Sequence, residues 1–514
     1  MKMTKYPHTQ KNCTKTERMN NIMKLKQLLC GLLAALCVLP LAACGEENPS
    51  ADTTAADTAI TEPAETAPPT DEWGREIIED SVPADLKYSN EVMRIFTRDD
   101  SKYWLLEITA EDGTGDVLND AVYNRNLTVE ERLGVKLEIK RMPGTFAVRT
   151  AWFNVLRAAV QADDDSIDMA TVYISQGAPL ITEGLFMNLL NVEHLDLDKP
   201  WWNKSFNEEM TMYDQLYATV GDYMLSMTSM TVATYFNKDL LTEIYPNEKL
   251  YQAVYDGKWT LDYLYNLSST VYSDLNGDGK KDGNDRYGYR AQRTTVPGDS
   301  WPIALDIYAT TKNDKGIPEL SFYNERTVNA FEKLETLYTA PGTFVGNAKF
   351  AEGKVLFYNQ QFSYTDDLRE MEDEYGILPM PKYDEAQAEY ATIPQNGHSM
   401  VTITKTTNKP AMIGAAVELL GAESYRQVTP VYFETTMKSK YLRSSDDAKM
   451  FDLIMENVKF NFGYVWSATK IGNIAQLMRD PSINLASTYA SKETSYKTNL
   501  EKLLSQLEAL GTAQ

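Results

Sequence analysis

Residues 274–285 have the side-chain types and the spacing of a metal-binding loop. Their sequence is DLNGDGKKDGND, in which oxygen-bearing side chains recur at nearly alternate positions and a glycine occupies the sixth. Alternating oxygens can surround one hard cation, and the glycine permits the sharp turn between them. The predicted calcium ligands are Asp274, Asn276, Asp278, the Lys280 carbonyl, Asp282 and Asp285. The alternative is a turn-rich surface loop, because Asn-Gly and Asp-Gly pairs form turns without a metal.

The rest of the chain is poor in residues that form catalytic centres. Its four cysteines are Cys13, Cys30, Cys37 and Cys44, so the body of the protein has no disulfide framework and no thiol nucleophile. Three histidines are too few for a multi-histidine metal centre in addition to other roles. Neither a Gly-x-Ser-x-Gly elbow nor a phosphate-binding glycine loop occurs. The net charge of -23 would repel nucleic acid.

The N-terminal region predicts export and a lipid anchor. Two lysines precede an apolar run that is too short to span a membrane. These are the proportions of a signal peptide, predicted over residues 1–43 with Met23 as the expected true start. The run ends in LAAC, which resembles the lipobox of bacterial lipoproteins. This resemblance implies that Cys44 is acylated, as with palmitate, and holds the protein on the outer face of the cytoplasmic membrane. The alternative is an ordinary cleaved signal with an incidental cysteine.

Two further features define the predicted organisation of the chain. Residues 44–85 begin as an Ala-, Thr-, Glu- and Pro-rich stretch that cannot bury enough apolar surface to fold, so they predict a disordered tether. The remaining chain is too long for one core. Its first part predicts alternating strands and helices, at 92–96, 116–132, 135–139, 152–161 and 168–174. This order indicates an α/β fold with a parallel sheet between helices.

An ordered set of short stretches carries a family resemblance. They include GLFMNL at 184–189, KPWWN at 199–203, YATVGDY at 217–223, YFNKDLL at 235–241, GKWTLD at 257–262, DRYG at 285–288, YGILPMP at 375–381 and AESY at 422–425. In this order they resemble the extracellular solute-binding proteins of ABC importers, in the group that serves sugars and oligosaccharides. The resemblance implies a two-lobed, type II periplasmic-binding-protein-like fold with the ligand in the cleft between lobes. It also implies a monomer that docks on ABC permease subunits.

The predicted division into lobes follows from three expected crossings, near 221–223, 345–352 and 394–400. The first lobe is predicted to comprise 86–222 and 350–395. The second is predicted to comprise 223–349 and 396–514 and to carry the calcium-type loop. Under this interpretation the protein is not an enzyme and captures a carbohydrate for import. The alternatives are a secreted carbohydrate-active hydrolase, since the 73 acidic residues provide carboxylate pairs by chance, and an assembly module of the kind that carries paired calcium loops.

Candidate ligand contacts come from two arguments. Ligands of open α/β sheets bind beyond the carboxyl ends of strands, which nominates Asp99, Asp100, Trp104, Tyr173 and Gln176. The resemblance adds Asp222, Tyr223, Trp301, Phe362, Tyr364, Asn396, His398 and Trp466. Sugars offer flat C–H faces and a rim of hydroxyls, so aromatic and polar side chains are the expected partners. Trp201, Trp202 and Trp259 are predicted to be structural.

Overall fold

The computed structural model describes residue 70 and residues 76–437 and 445–512. The predicted signal peptide and Cys44 lie outside these residues. Residues Pro69–Gln514 form one compact unit. In the part of the chain that the structure describes, no helix is long and apolar enough to cross a membrane.

The strands in chain order are β1 (Glu91–Arg98), β2 (Val135–Met142), β3 (Met169–Tyr173), β4 (Val232–Asn237), β5 (Tyr272–Ser273), β6 (Arg286–Ala291), β7 (Thr310–Lys312), β8 (Pro318–Leu320), β9 (Thr343–Val345), β10 (Val355–Gln361), β11 (Tyr375–Leu378) and β12 (Ser399–Ile403).

The α-helices are α1 (Lys102–Leu105), α2 (Val117–Leu133), α3 (Arg149–Ala162), α4 (Ile174–Gly177), α5 (Pro179–Thr182), α6 (Lys204–Met210), α7 (Leu225–Met230), α8 (Lys238–Ile244), α9 (Leu250–Tyr255), α10 (Leu261–Ser268), α11 (Thr295–Ala304), α12 (Glu325–Thr339), α13 (Pro410–Glu423), α14 (Thr429–Tyr432), α15 (Ser445–Glu456), α16 (Phe462–Val465), α17 (Leu485–Ala490) and α18 (Glu493–Thr512). Short 3-10 helices occur at Leu189–Asn191, Phe350–Glu352, Phe362–Leu368, Ser467–Thr469 and Gly472–Arg479, and π-helical turns at Ser424–Val428 and Phe433–Met437.

The first lobe is built on a sheet of order β12-β3-β1-β2. β1 is parallel to both β2 and β3, as the alternation of strands and helices predicts. β12 lies antiparallel on the edge of β3, with Ser399 opposite Tyr173. The carboxyl ends of β1, β2 and β3 therefore share one edge with the beginning of β12.

Local sequence explains the elements of this lobe. Asp116 caps α2 by accepting the main-chain N–H groups of Leu118 and Asn119, and Gly134 ends the helix with φ of 62°. Inward-facing residues of β1 are apolar, and Phe96 stacks on Trp152 of α3 with ring centroids 4.3 Å apart. Burying two such aromatic side chains stabilises the lobe by roughly 2–3 kcal/mol each.

The second lobe is built on a sheet of order β11-β4-β10-β6-β5, with β9 also paired to β6. β10 is parallel to β6 and antiparallel to β4, and β9 is parallel to β6. The carboxyl ends of β6, β9 and β10 therefore lie at one edge of this sheet, next to the beginning of β4.

The strand pairing differs from the predicted division into lobes. Residues 350–395 contribute β10 and β11 to the second sheet, whereas β12, within 396–514, belongs to the first. The expected crossing at 345–352 is absent, because β9 and β10 are strands of the same sheet. A strand belongs to the lobe whose sheet it joins, and it joins that sheet through hydrogen bonds to strands that are distant in sequence. The residues of one strand alone do not show which strand it pairs with.

Within residues 223–437, three connections join the lobes. The first runs through α7 into β4, and the second returns from residue 394 to β12, with Thr231 and Pro394 forming a bridge between them. The third leaves α13 at residue 424. It reaches the second lobe where Phe433 packs on Phe451 with ring centroids 4.8 Å apart.

The ordered body begins before residue 85, the predicted end of the tether. The carboxylate of Asp80 accepts two hydrogen bonds from Arg132, at 2.6 and 2.7 Å, and forms an ion pair with Arg426 at 3.2 Å. Val82 is buried in the core. Residues 80–82 therefore belong to the packed body, and the predicted boundary at residue 85 lies too far along the chain.

Candidate functional site

A cavity of about 330 Å³ lies between the carboxyl edges of the two sheets. Its wall in the first lobe is the segment that follows β1, and its wall in the second lobe is the segment that follows β10. One face of α7, in the first connection, lines the cavity between them. The lining residues are Ser101, Lys102, Tyr103, Trp104, Ser226, Ser229, Met230, Gln361, Ser363, Asp366 and Asp367. An aromatic ring surrounded by hydroxyl, amide and charged groups suits a small ligand with both apolar faces and hydroxyls.

Arg98 organises the wall of the first lobe. Its guanidinium lies 4.8 Å from the ring centroid of Tyr173 and 5.1 Å from that of Trp104. One of its terminal nitrogens donates to the carbonyl of Gly397 and to Oγ of Ser399, both at 2.9 Å. Burial lowers the pKa of Arg98, partly opposed by nearby carboxylates. The arginine therefore fixes two aromatic rings against the returning second connection.

Asp100 holds the adjoining loop. Its Oδ1 accepts the main-chain N–H of Gly144 at 2.7 Å, and its Oδ2 lies 4.0 Å from Arg98. A Cβ on Gly144 would lie 2.7 Å from the side chain of Arg98, so only glycine allows this approach. The loop after β2 thereby comes close to the end of β1.

Aromatic and amide side chains cluster at the carboxyl edge of the second sheet, outside the cavity lining. Arg290 lies 4.1 Å from the ring centroid of Tyr358, whose hydroxyl donates to Gln292 at 3.0 Å and accepts from Gln360 at 2.8 Å. The ring of Tyr364 meets that of Tyr358 edge to face at 5.4 Å. These residues are at or just beyond the ends of β6 and β10, as expected for a site at the carboxyl edge.

A hydrogen bond between described residues crosses the cavity. The hydroxyl of Tyr103, in α1 of the first lobe, donates to Asp366 of the second lobe at 2.7 Å. The ring of Tyr103 also packs edge to face on Tyr432 at 5.7 Å. The lobes are therefore in direct side-chain contact at this side of the cavity.

The structure brings several predicted site residues to the expected edges. Trp104 lines the cavity, and Tyr364 follows β10 in the second lobe. Asp100 and Tyr173 lie next to Arg98, outside the cavity lining. Asp99 and Gln176 are half-buried beyond β1 and β3, and Asn396 is half-buried in the second connection. Contact of these seven residues with a ligand stays a prediction.

Four predicted contacts are core residues and do not line the cavity. Trp301 is fully buried and donates its indole N–H to Tyr338 at 3.2 Å. Phe362 packs on Phe451 and Trp466 on Phe462, with ring centroids 5.0 and 6.0 Å apart. The fourth, His398, is described next. Aromatic residues near strand ends often complete the core, and their type does not show which side they face.

His398 is 1% exposed and lies against Phe460. Burial, together with the charge of Arg98, lowers the pKa of its imidazole to about 3, so the ring is neutral. Its Nδ1 forms a hydrogen bond of 2.9 Å with the carbonyl of Ser399. A neutral ring in this position supports the second connection.

Asp222 and Tyr223 are also outside the cavity lining. Tyr223 is buried beneath the guanidinium of Arg125, 5.1 Å from its ring centroid. Asp222 lines a separate groove of about 540 Å³ next to the buried Trp201 and Trp202. Trp259 is fully buried and donates to the carbonyl of Pro379 at 2.9 Å, in agreement with a structural role.

Several lining residues were not predicted from the sequence. Lys102 and Tyr103 follow β1 directly, so the carboxyl-end rule could have included them. Arg98, the last residue of β1, could have been found in the same way. Ser226, Ser229 and Met230 lie on α7, whose short apolar-polar sequence carries no signal of a cleft. Asp366 and Asp367 follow β10 and resemble other surface aspartates in sequence.

The calcium-type loop forms a turn-rich structure with its oxygens oriented by the main chain. Asp274 accepts the N–H groups of Gly277 and Gly279 at 2.7 and 2.8 Å, and both glycines have positive φ. Asp285 is buried, and its carboxylate accepts hydrogen bonds from Tyr272 and Tyr287 at 3.3 and 3.4 Å. Within the described ranges, no three His, Cys, Asp or Glu residues are grouped closely enough to hold a metal ion.

Comparison with solved structures identifies the fold. The cyclic α-maltosyl-1,6-maltose binding protein of Arthrobacter globiformis matches 80% of this chain and 100% of its own, with a TM-score of 0.55 and 13% identity. The sugar-binding protein MalE of Xanthomonas citri matches 82% and 97%, with a TM-score of 0.52 and 14% identity. This chain shares the fold of these two proteins. A cyclo/maltodextrin-binding protein complexed with maltotetraose matches 82% and 98%, with a TM-score of 0.50 and 12% identity.

The sugar-binding-protein fold confirms the predicted two-lobed α/β architecture. The sequence itself matches no protein-family model and no curated protein. At identities of 12–14% the likeness concerns the fold, and the residues of the cavity must carry the argument about function.

Proposed function

We propose that this protein captures a sugar or oligosaccharide in the cavity between its lobes. The observation that carries the proposal is the lining of that cavity, where Trp104 and hydroxyl, amide and carboxylate groups from both lobes converge. A ligand that touches both lobes favours the closed form in proportion to its difference in affinity for the two forms. Solute capture needs only this binding step, so no catalytic residue is assigned.

The proposed partner is the permease of an ABC importer. A two-lobed binding protein offers its lobe surfaces for docking, and lobe closure distinguishes the loaded from the empty form. The proposal rests on the family resemblance of the sequence and on the fold. It assigns the protein a monomeric, non-enzymatic role outside the cytoplasmic membrane, with ATP hydrolysis performed by another subunit.

Replacing Trp104 by alanine is expected to weaken carbohydrate binding by 10-fold to 100-fold. The indole ring supplies the large apolar surface of the cavity, and truncation of a central Trp in a binding site typically costs about 2 kcal/mol or more. Calorimetry with a sugar identified by a thermal-shift screen of mono- and oligosaccharides would measure the change.

Two comparisons make this test specific. Trp104→Phe retains an aromatic surface and should retain most of the affinity. Tyr255→Ala changes an exposed aromatic residue that does not line the cavity and should leave affinity unchanged. Equal affinity of Trp104→Ala and the wild type would place the ligand elsewhere. Hydrolysis of the bound sugar by the pure protein would favour the carbohydrate-active enzyme.

We also propose that Cys44 is the lipid anchor, on the basis of the LAAC sequence and the Pro- and Thr-rich stretch that follows it. Cys44→Ala is expected to abolish lipid labelling and to leave the protein released or unprocessed. Fractionation of cells expressing the full chain, with metabolic labelling by a palmitate analogue, would measure both effects. Cys37→Ala, in the apolar run, is the matched control and should be processed normally. Undiminished labelling of the Cys44→Ala variant would refute the anchor.

We propose that the 274–285 loop closes around one structural calcium ion, which would have to draw its carboxylates together because they are not grouped in the described structure. The oxygen spacing and the main-chain hydrogen bonds that orient Asp274 support the proposal. The site is expected to be weak, with Kd on the order of 10⁻⁴ to 10⁻³ M. At a tenfold excess over Kd, calcium would stabilise the fold by about 1.4 kcal/mol, and chelation should lower Tm by a few degrees.

Asp278→Ala should remove the difference in Tm between calcium and chelator, because it deletes a carboxylate from the centre of the loop. Asp314→Ala, in an exposed turn of another segment, should retain it. Calorimetry of the wild type at millimolar calcium tests directly whether the protein binds the ion. Absence of binding there would leave the loop as a surface turn, with Asp285 held by Tyr272, Tyr287 and the main-chain N–H groups of Leu275 and Asp282.

A further inference from the structure

Three ionisable side chains are buried where the first lobe meets its connections to the second. Arg98 and Arg125 are each 1% exposed and Glu107 is fully buried. Burying a charge is costly unless it is paired and hydrogen-bonded. Their partners therefore show what the cluster does.

Glu107 and Arg98 hold the first two connections. Oε1 of Glu107 accepts a hydrogen bond from the hydroxyl of Ser226, which lies on α7 in the first connection. The same hydroxyl oxygen accepts the main-chain N–H of Ser399 at 3.0 Å, at the end of the second connection. Arg98 donates to Ser399 and to Gly397 in that connection. One carboxylate and one guanidinium thus fix two chain segments against each other.

Arg125 extends the same cluster to the third connection. One terminal nitrogen donates to the main-chain carbonyl of Glu107 at 2.7 Å, and the other donates to Oγ of Ser424 at 3.0 Å. Ser424 is the first residue of the segment that leaves α13 for the second lobe. Each of the three connections therefore presents one serine, Ser226, Ser399 or Ser424, to the cluster.

The cluster is also continuous with the cavity. Arg98 lies against Trp104 and Tyr173, and Ser226 itself lines the cavity. Oε2 of Glu107 and Nε of Arg98 have no hydrogen-bond partner among the described residues. These spare groups allow the cluster to exchange partners when the connections move, whereas a purely structural buried network is normally fully satisfied.

We propose that Arg98, Glu107 and Arg125 form a hinge cluster that holds the three connections in one arrangement and links them to the wall of the cavity. Glu107 is the central positioning residue, because its carboxyl accepts a hydrogen bond from Ser226 and its main-chain carbonyl accepts one from Arg125. The proposal deepens the proposed function, since a hinge has meaning only for a protein whose lobes move. The coupling between the three connections is nevertheless independent of any ligand.

Hydrogen–deuterium exchange of the ligand-free protein tests the coupling. Glu107→Ala removes the acceptor of the Ser226 hydroxyl and the carboxyl whose charge interacts with both guanidinium groups. Exchange should therefore become at least 10-fold faster at 225–231, 397–399 and 424–428 together. Exchange of β6 and β10 in the second sheet should stay unchanged. Glu107→Gln retains an acceptor for Ser226 and should restore protection at 225–231. Glu418→Ala, which removes another buried carboxyl of the first lobe, is the matched control and should leave 225–231 unchanged.

The proposal is overturned if Glu107→Ala accelerates exchange only at 225–231, or by one common factor along the whole chain. Ser424→Ala provides a second test should Glu107→Ala fail to fold, because it deletes a single hydroxyl at the third connection. It should accelerate exchange at 225–231 as well as at 424–428, and no change at 225–231 would refute the coupling. Both measurements use the protein without a sugar, so failure to bind carbohydrate would not affect them.

Discussion

Raising the pH from 5 to 8 is expected to lower the free energy of unfolding by about 2 kcal/mol for each of two buried carboxyl groups, Glu107 and Glu418. Burial raises the pKa of both to about 7. For Glu107 the effect of burial is opposed by Arg98 and Ser226, and for Glu418 by the indole N–H of Trp202 at 3.0 Å.

The direction follows from proton binding. An unfolded chain releases the proton of a glutamic acid near pH 4.3, whereas the folded protein keeps it up to about pH 7. Between these values the folded state binds more protons than the unfolded state, so its stability falls as the pH rises. The contribution is complete below about pH 4 and is lost as the pH passes through 7.

Urea unfolding at a series of pH values between 5 and 8 would measure this slope. Glu107→Gln and Glu418→Gln each replace a titrating group by a neutral one of the same shape, and the double variant should have the flattest profile. Glu319→Gln changes an exposed carboxyl and should reproduce the wild-type slope. A double variant with the wild-type slope would show that other groups dominate the pH dependence.

Gly221→Ala is expected to destabilise the protein by about 3 kcal/mol or more. A Cβ at this position would lie 2.0 Å from the carbonyl oxygen of Trp201 and 3.0 Å from the ring of Trp202. The carbonyl cannot move away freely, because it accepts the N–H of Asp222 at 2.9 Å. Gly221 also precedes α7, so the first connection would be displaced along with the loop.

Gly316→Ala separates this steric effect from backbone strain. Gly316 has φ of 72°, and nothing lies within 4 Å of the position that its Cβ would occupy. Alanine there should cost only about 1 kcal/mol, from the left-handed conformation alone. Chemical denaturation of both variants measures the difference. Equal losses would mean that the segment around Trp201 relaxes at little cost.

The sequence predicted local elements well because their signals are local. The predicted strand at 92–96 and the predicted helix at 116–132 agree with β1 and α2 to within two residues at each end. Lobe membership failed for a different reason. β10 and β12 are both short buried strands, and only their hydrogen bonds to β4 and β3 distinguish the lobes.

The positions of residues around the cavity were predicted in part, because only one of the two arguments depends on information that the sequence contains. The carboxyl-end rule located Trp104, Asp100 and Tyr173 because it depends on chain direction, which the sequence contains. Trp301 and Phe362 were misplaced because an aromatic residue packs in the core or faces a cleft according to its direction in three dimensions. The hinge cluster was not predicted, since Glu107 and Arg125 meet Ser226 and Ser424 only after the lobes are assembled.

The position of β12 has a consequence for how the newly made chain folds. Thr402 of β12 donates a hydrogen bond to the carbonyl of Ala170 in β3, across 232 positions of sequence. An emerging chain therefore presents the open edge of β3 until the whole second lobe has been synthesised. Such long-range pairing slows folding and exposes strand edges that can aggregate. Truncation after the first connection is accordingly expected to yield an insoluble fragment, even though it contains most of the first lobe.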